Sequence, residues 1–256
     1  MSREYGKIRV LRADGVETIT LFNPEKRNAI GPQMVTELLY ALDDATKADD
    51  VRVIVVTGEG KAFCAGGDFM SSDGSKLDPR GDFADLVVAL AHAQKPVVAR
   101  VNGPAMGGGL GIVASCTFAI AASDAKLGTP EVDLGLFPMM IMAILARNVP
   151  RRRLVQMMLL GEKFDAAEGL RIGLLNEVVA PEELDAAVKR TVDALSSKSP
   201  STLRLGLKAF AEQDDLDLLT ALPILRAKLG EVLATDDARE GLMAFMQKRK
   251  PVWTGK

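Results

Sequence analysis

Two glycine-rich segments, each a few residues beyond a run of β-branched residues, constrain this chain more than any other feature. Residues 51–56 (VRVIVV) lead to Phe63-Cys64-Ala65-Gly66-Gly67-Asp68, and residues 96–101 (PVVARV) lead to Asn102-Gly103-Pro104-Ala105-Met106-Gly107-Gly108-Gly109-Leu110-Gly111. Short apolar runs of this kind read as buried strands, and their alternation with helical patterns implies an α/β core. Adjacent strands would deliver both loops to one edge, where ligands bind in such folds. Glycine lets the backbone approach a ligand closely. The second loop also opens a helix, whose free N–H groups favour developing negative charge. Two such loops meeting suit an oxyanion hole; the plainer alternative is a pair of tight turns.

The remaining pattern is consistent with that core. Residues 7–22 read as a hairpin turning at Asp14-Gly15, and Gly31-Pro32 opens an amphipathic helix to about residue 46. Residues 86–93 and 109–114 read as helical and residues 117–121 as a strand. Strand signals fade from Pro138 onward. Residues 139–160 look helical, and 181–248 read as several helices punctuated by Pro181, Pro200, Pro223 and Asp236-Asp237. A helical region after the sheet is therefore expected, with no internal repeat.

Composition removes several function classes. Lys and Arg total 32 against 34 Asp and Glu, with no basic stripe for a nucleic acid. Cys64, Cys116 and His92 cannot supply the four ligands of a structural zinc. His92 reads as a residue near a helix C-terminus and the cysteines as small core residues. The N-terminal MSREYGKIRV carries no signal-peptide pattern, and no stretch reaches the length of a membrane span. A soluble cytoplasmic enzyme is the expectation.

The third element is residues 127–140, with Glu131 among apolar neighbours. Burial there would raise a carboxyl pKa into a range useful for proton transfer. Glu131 could equally cap a helix or pair with an arginine. A rival pattern is Gly109-Leu110-Gly111-Ile112-Val113-Ala114, which matches a dinucleotide fingerprint. It stands too far from its strand, and no acid ends a convincing following strand.

Together these elements resemble the enoyl-CoA hydratase/isomerase (crotonase) family over nearly the whole chain. The resemblance begins with Asn23-Pro24-Glu25-Lys26-Arg27-Asn28-Ala29-Ile30 and includes FCAGGD, NGPAMGGGLG and TPEVDLGLFP. It ends in the segment from Gly241 to Pro251. It implies an α/β fold made of a spiral of β-β-α units, with a core over 1–195 and a C-terminal helical trimerisation region over 196–256. The implied assembly is a homotrimer or a dimer of trimers, and the implied substrate is an acyl-CoA. No separate cofactor is implied, coenzyme A being part of the substrate.

By the same match the oxyanion hole would be the N–H groups of Gly67 and Gly108, with Glu131 moving the proton. Substrate contacts would come from Lys26, Arg27, Ala29, Ala65, Asp68, Phe69, Gly107, Gly111, Pro130 and Met139. Phe245 and Lys248 match positions that reach a neighbouring subunit's CoA site; the alternative is a solvated basic tail. The sequence departs from the hydratase pattern at Gly111, where the first of two glutamates would stand, and at Met139. One carboxylate favours isomerisation of an enoyl-CoA over hydration, although Asp133 or Glu162 could enter the pocket. A non-catalytic acyl-CoA binder is the third possibility. Phe69, Met70, Met139, Met140 and Met142 could line an acyl tunnel, the last two being more in keeping with core. The polar loop over 71–82 reads as a gate.

Overall fold

A computed structural model describes residues 3–68, 70–71 and 74–256. The hairpin forms as expected, β1 (Ile8–Ala13) pairing antiparallel with β2 (Val16–Leu21). Its turn residues Asp14 and Gly15 both hold positive φ, the primed-turn geometry that matches strand twist. Four parallel partners follow: β3 (Val53–Gly58), β4 (Val97–Val101), β6 (Phe118–Ala122) and β9 (Glu177–Val179), in the order β1-β2-β3-β4-β6-β9. A second sheet has the order β5 (Ala105–Met106), β7 (Lys126–Gly128), β8 (Lys163–Asp165).

Successive units place one strand in each sheet before turning into a helix. β4 and β5 lead to α3 (Gly108–Ser115), and β6 and β7 lead to a 3₁₀ turn at Pro130–Leu134 and then α4 (Met139–Asn148). This is the expected spiral of β-β-α units. One face of the large sheet packs under α1 (Pro32–Lys47), α2 (Phe83–Ala91) and α3, in a core that includes Ile19, Leu38, Ile54, Leu86 and Leu110. The other face is covered by α7 (Leu184–Ser196), whose Leu184, Ala187, Val188 and Val192 meet Val53, Val55, Val98 and Ile120. Between α4 and α7 run α5 (Arg151–Leu160) and α6 (Ala166–Arg171). α8 (Pro200–Gln213), α9 (Leu218–Leu233) and α10 (Asp236–Met246) form the helical region after them.

Three sequence expectations need correction. Strands do not end at Pro138: β8 and β9 are three residues each, too short to show alternation. Pro223 does not punctuate two helices; it lies six residues into α9 and removes the bond that would run to the Leu219 carbonyl. α2 begins at Phe83 rather than 86, because Asp82 caps it, accepting from the Ala84 and Asp85 N–H groups while Asp85 closes a capping box.

Candidate active site

The carboxyl ends of β3 and β4 lie side by side, and their loops are laced together as the sequence suggests. The Cys64 N–H donates to Pro104 O at 3.0 Å, and the Met106 N–H returns a bond to Cys64 O at 2.9 Å. A third segment joins them, for the Ile30 N–H donates to Gly66 O at 2.8 Å and Ile30 O accepts from Asp68 N–H at 2.7 Å. Ile30 therefore bonds to the residues on either side of Gly67, which leaves the Gly67 N–H outside this parallel bridge. The Gly108 N–H is the first donor of α3 and has no intrahelical acceptor.

Two asparagines, Asn28 buried and Asn102 partly so, hold this arrangement. The Asn28 side chain donates to Glu59 O, Ala62 O and Phe63 O and accepts from Asn23 N–H. Asn102 donates to Gly58 O and Gly60 O and accepts from Gly58 N–H. Asn28 sits at φ +59°, a conformation asparagine tolerates better than most side chains.

Between the loops and the 3₁₀ turn lies a cavity of about 500 Å³. Its wall includes Ile30, Phe83, Leu134, Leu136, Phe137 and Ile141, which make it predominantly apolar. Pro130 at the start of the turn projects Glu131 into this wall. The Glu131 carboxyl is half-buried, and its Oε2 is buried without a hydrogen-bond partner. Burial pushes its pKa above the ordinary glutamate value, and a bond from its own backbone N–H offsets only part of that rise. Gly107, at φ +49°, makes the glutamate's place available. Its N–H donates to Gly128 O at 2.9 Å, joining the glycine loop to the strand that leads into Glu131.

The other polar side chains on the wall are engaged. Asp68 accepts from Lys26 Nζ at 2.7 Å, and that ammonium holds the carboxyl below its ordinary range. Asp82 is occupied as the α2 cap, and Ser71 donates to Asp68 O. Among the described residues, Glu131 is the wall's uncommitted acid.

Of the residues expected at the site, Ala65, Gly67, Asp68, Gly107, Gly108, Pro130, Glu131 and Met139 line the cavity. Lys26 and Ala29 border a smaller neighbouring hollow of about 70 Å³, together with Asp68. Arg27 is exposed, and Gly111 lies behind the wall rather than on it. Phe69 is outside the described residues. Phe245 lies in the last turn of α10 and Lys248 just beyond it, both exposed, and neither borders the cavity of its own chain. Asp133 is exposed, and Glu162 is held by Arg153 and Gln156, so neither provides a second acid on this wall. The core assignment of Met140 and Met142 is overturned, because they are 49% and 39% exposed; Met140 lines the cavity and Met142 does not. Phe83 and Ile141 were not expected, since Phe83 falls before the helix expected from residue 86 and Ile141 reads as an ordinary apolar helix residue.

Residues 12–256 match the model of the enoyl-CoA hydratase/isomerase family. The chain belongs to this family. It is 35% identical over 246 residues to the mouse mitochondrial enoyl-CoA hydratase domain-containing protein 3, covering 94% of this chain and 82% of that one. It is 34% identical to the probable enoyl-CoA hydratase echA8 of Mycobacterium tuberculosis, over 98% of both chains. The crystal structure of an enoyl-CoA hydratase from Mycobacterium smegmatis superposes with a TM-score of 0.90 at 30% identity, over 97% of this chain and 99% of that chain. The crotonase fold is thereby established, and with it the α/β expectation. The dinucleotide fingerprint is accounted for differently: in this fold Gly109–Ala114 forms part of α3, which follows β5 rather than opening directly from β4.

Proposed function

We propose that this family member is an acyl-CoA enzyme that moves a double bond within the acyl chain. The thioester oxygen binds between the Gly67 and Gly108 N–H groups, and Glu131 is the single proton carrier. For a 3-enoyl-CoA, Glu131 removes a proton from C2, and the C2–H electrons form a dienolate whose negative oxygen the two donors hold. Protonated Glu131 then returns the proton at C4, the double bond moves from C3–C4 to C2–C3, and no atom is gained or lost. Each oxyanion donor is worth about 10²–10³ in rate and a positioned acid-base group about 10²–10⁴.

The observation that carries this reading is the uncommitted Glu131 carboxyl on a wall whose other described polar side chains are engaged. A bound water needs about three polar partners, and Glu131 is one. Its raised pKa suits a group that must both accept and return a proton.

Hydration of a 2-enoyl-CoA is the second reading, favoured by the names of similar proteins from Thermus thermophilus and Mycobacterium tuberculosis. Separate assays with 3-enoyl-CoA and 2-enoyl-CoA distinguish the two. Conversion of the first with slow water addition to the second supports isomerisation. Water addition as fast as isomerisation, or faster, overturns it.

A further inference from the structure

The first turn of α3 is sheathed by three apolar side chains: Phe83 of α2, Ile141 of α4 and Ile30 of the segment before α1. A Cβ placed on Gly108 would lie 3.4 Å from both Cε2 and Cζ of Phe83 and 3.7 Å from Ile30 Cδ1. One placed on Gly111 would overlap Ile141 Cγ2, with Ile141 Cβ at 3.2 Å and Phe83 Cζ at 3.4 Å. Gly111 is buried and contributes nothing to the cavity surface, whereas Phe83, Ile141 and Ile30 do. Phe83 opens α2 and Ile141 lies in the first turn of α4, so α2, α3 and α4 meet at this wall. Ile141 is 3% exposed and Ile30 5%. Close-packed side chains so fixed leave little freedom to admit a solvent molecule.

We propose that Ile141, with Phe83, is the specificity-determining element of this site, sealing the wall beside Gly111 against water so that the proton stays within the acyl chain. This rests on the isomerase reading above. The wall acts in two ways. It fills the volume that any side chain at position 111 would need, so no second polar group can approach the substrate from α3. It also offers no hydrogen bond to a water beside Glu131, which then has too few partners to be held for attack. A proton on Glu131 consequently returns to carbon faster than it exchanges with solvent.

The test uses the full-length protein, wild type beside Ile141→Ala and Phe83→Leu, in D2O. Phe83→Leu keeps an apolar side chain on the wall and is the variant of reference should Ile141→Ala fail to fold. Two readouts are taken: the mass of the 2-enoyl-CoA made from 3-enoyl-CoA, and the rate of water addition to 2-enoyl-CoA. The wild type is expected to return mostly protium to C4. In the variants deuterium at C4 rises and water addition increases by about tenfold or more, equivalent to about 1.4 kcal/mol at the barrier. Deuterium uptake and water addition unchanged from wild type in every folded variant overturn the proposal. A wild type that lacks isomerase activity defeats the isomerase reading alone, because the hydration arm still reports on the wall. Water addition that stays unchanged in the variants then counts against it, and an increase supports it.

Discussion

Gly107 and the Glu131 carboxyl, where it now lies, exclude a side chain between them: a Cβ on Gly107 would lie 2.6 Å from Glu131 Oε1. Gly107 is also held at φ +49°, where an L side chain is strained. Gly107→Ala is therefore expected to act twice. The positive-φ backbone, in a sparsely populated region, costs roughly 1–3 kcal/mol of stability, and displacement of the carboxyl by about 1 Å costs about 10²-fold in kcat. Thermal melts and steady-state kinetics measure the two effects separately.

The raised Glu131 pKa gives a signed expectation for stability. The folded state holds this proton more tightly than the unfolded chain, so stability falls as pH rises from the ordinary glutamate value through the raised folded one. Glu131→Gln removes that loss. The variant should be more stable than wild type at neutral pH, with the difference shrinking toward acid, as read from urea midpoints at several pH values.

Asp237 behaves in the opposite sense. It is 1% exposed, and burial pushes its carboxyl up, but bonds from Ser199, Thr254, Ser201 and Gly255 more than offset this and hold it at about 2. Those bonds tie the start of α8 and the C-terminal residues to α10. The stability they contribute is present above the unfolded aspartate value and lost as pH falls through about 2. Asp237→Ala should destabilise the fold by about 3 kcal/mol, since it strands several buried donors. Chemical denaturation at neutral pH checks this.

The C-terminal helices expose Leu218, Leu219, Leu222, Leu229, Leu233, Phe245 and Met246. So many large apolar side chains on one small region exceed what a monomer usually leaves in water. A trimer of the 27.4 kDa chain, or a pair of trimers, is expected by native mass spectrometry; a monomer at micromolar concentration contradicts it.

Much of this was legible in the sequence, for identifiable reasons. Asp14-Gly15 announces the hairpin and Gly31-Pro32 the first long helix, because each signal is local to the backbone that obeys it. The meeting of the two glycine loops followed from the adjacent strands they extend, whereas the choice of Gly67 and Gly108 within them came from the family resemblance. What could not be read was long-range. Phe83 and Ile141 lie 58 positions apart in the chain and carry no polar mark. Their importance comes from closing the space beside Gly111, which only packing reveals. Asp68 and Lys26, both expected as substrate contacts, are found paired with one another, which their distance in the chain conceals. β8 and β9 escaped notice because three residues carry no period.

The central claim is that Glu131 alone carries the proton while the backbone donors hold the thioester. The most direct measurement compares wild type with Glu131→Gln, determining turnover of 3-enoyl-CoA and the dissociation constant for a non-reacting acyl-CoA in parallel. Turnover is expected to fall by about 10²–10⁴ while binding stays within a few-fold of wild type. Turnover preserved in Glu131→Gln would contradict it, because among the described residues no other acid on the cavity wall is free to take the proton.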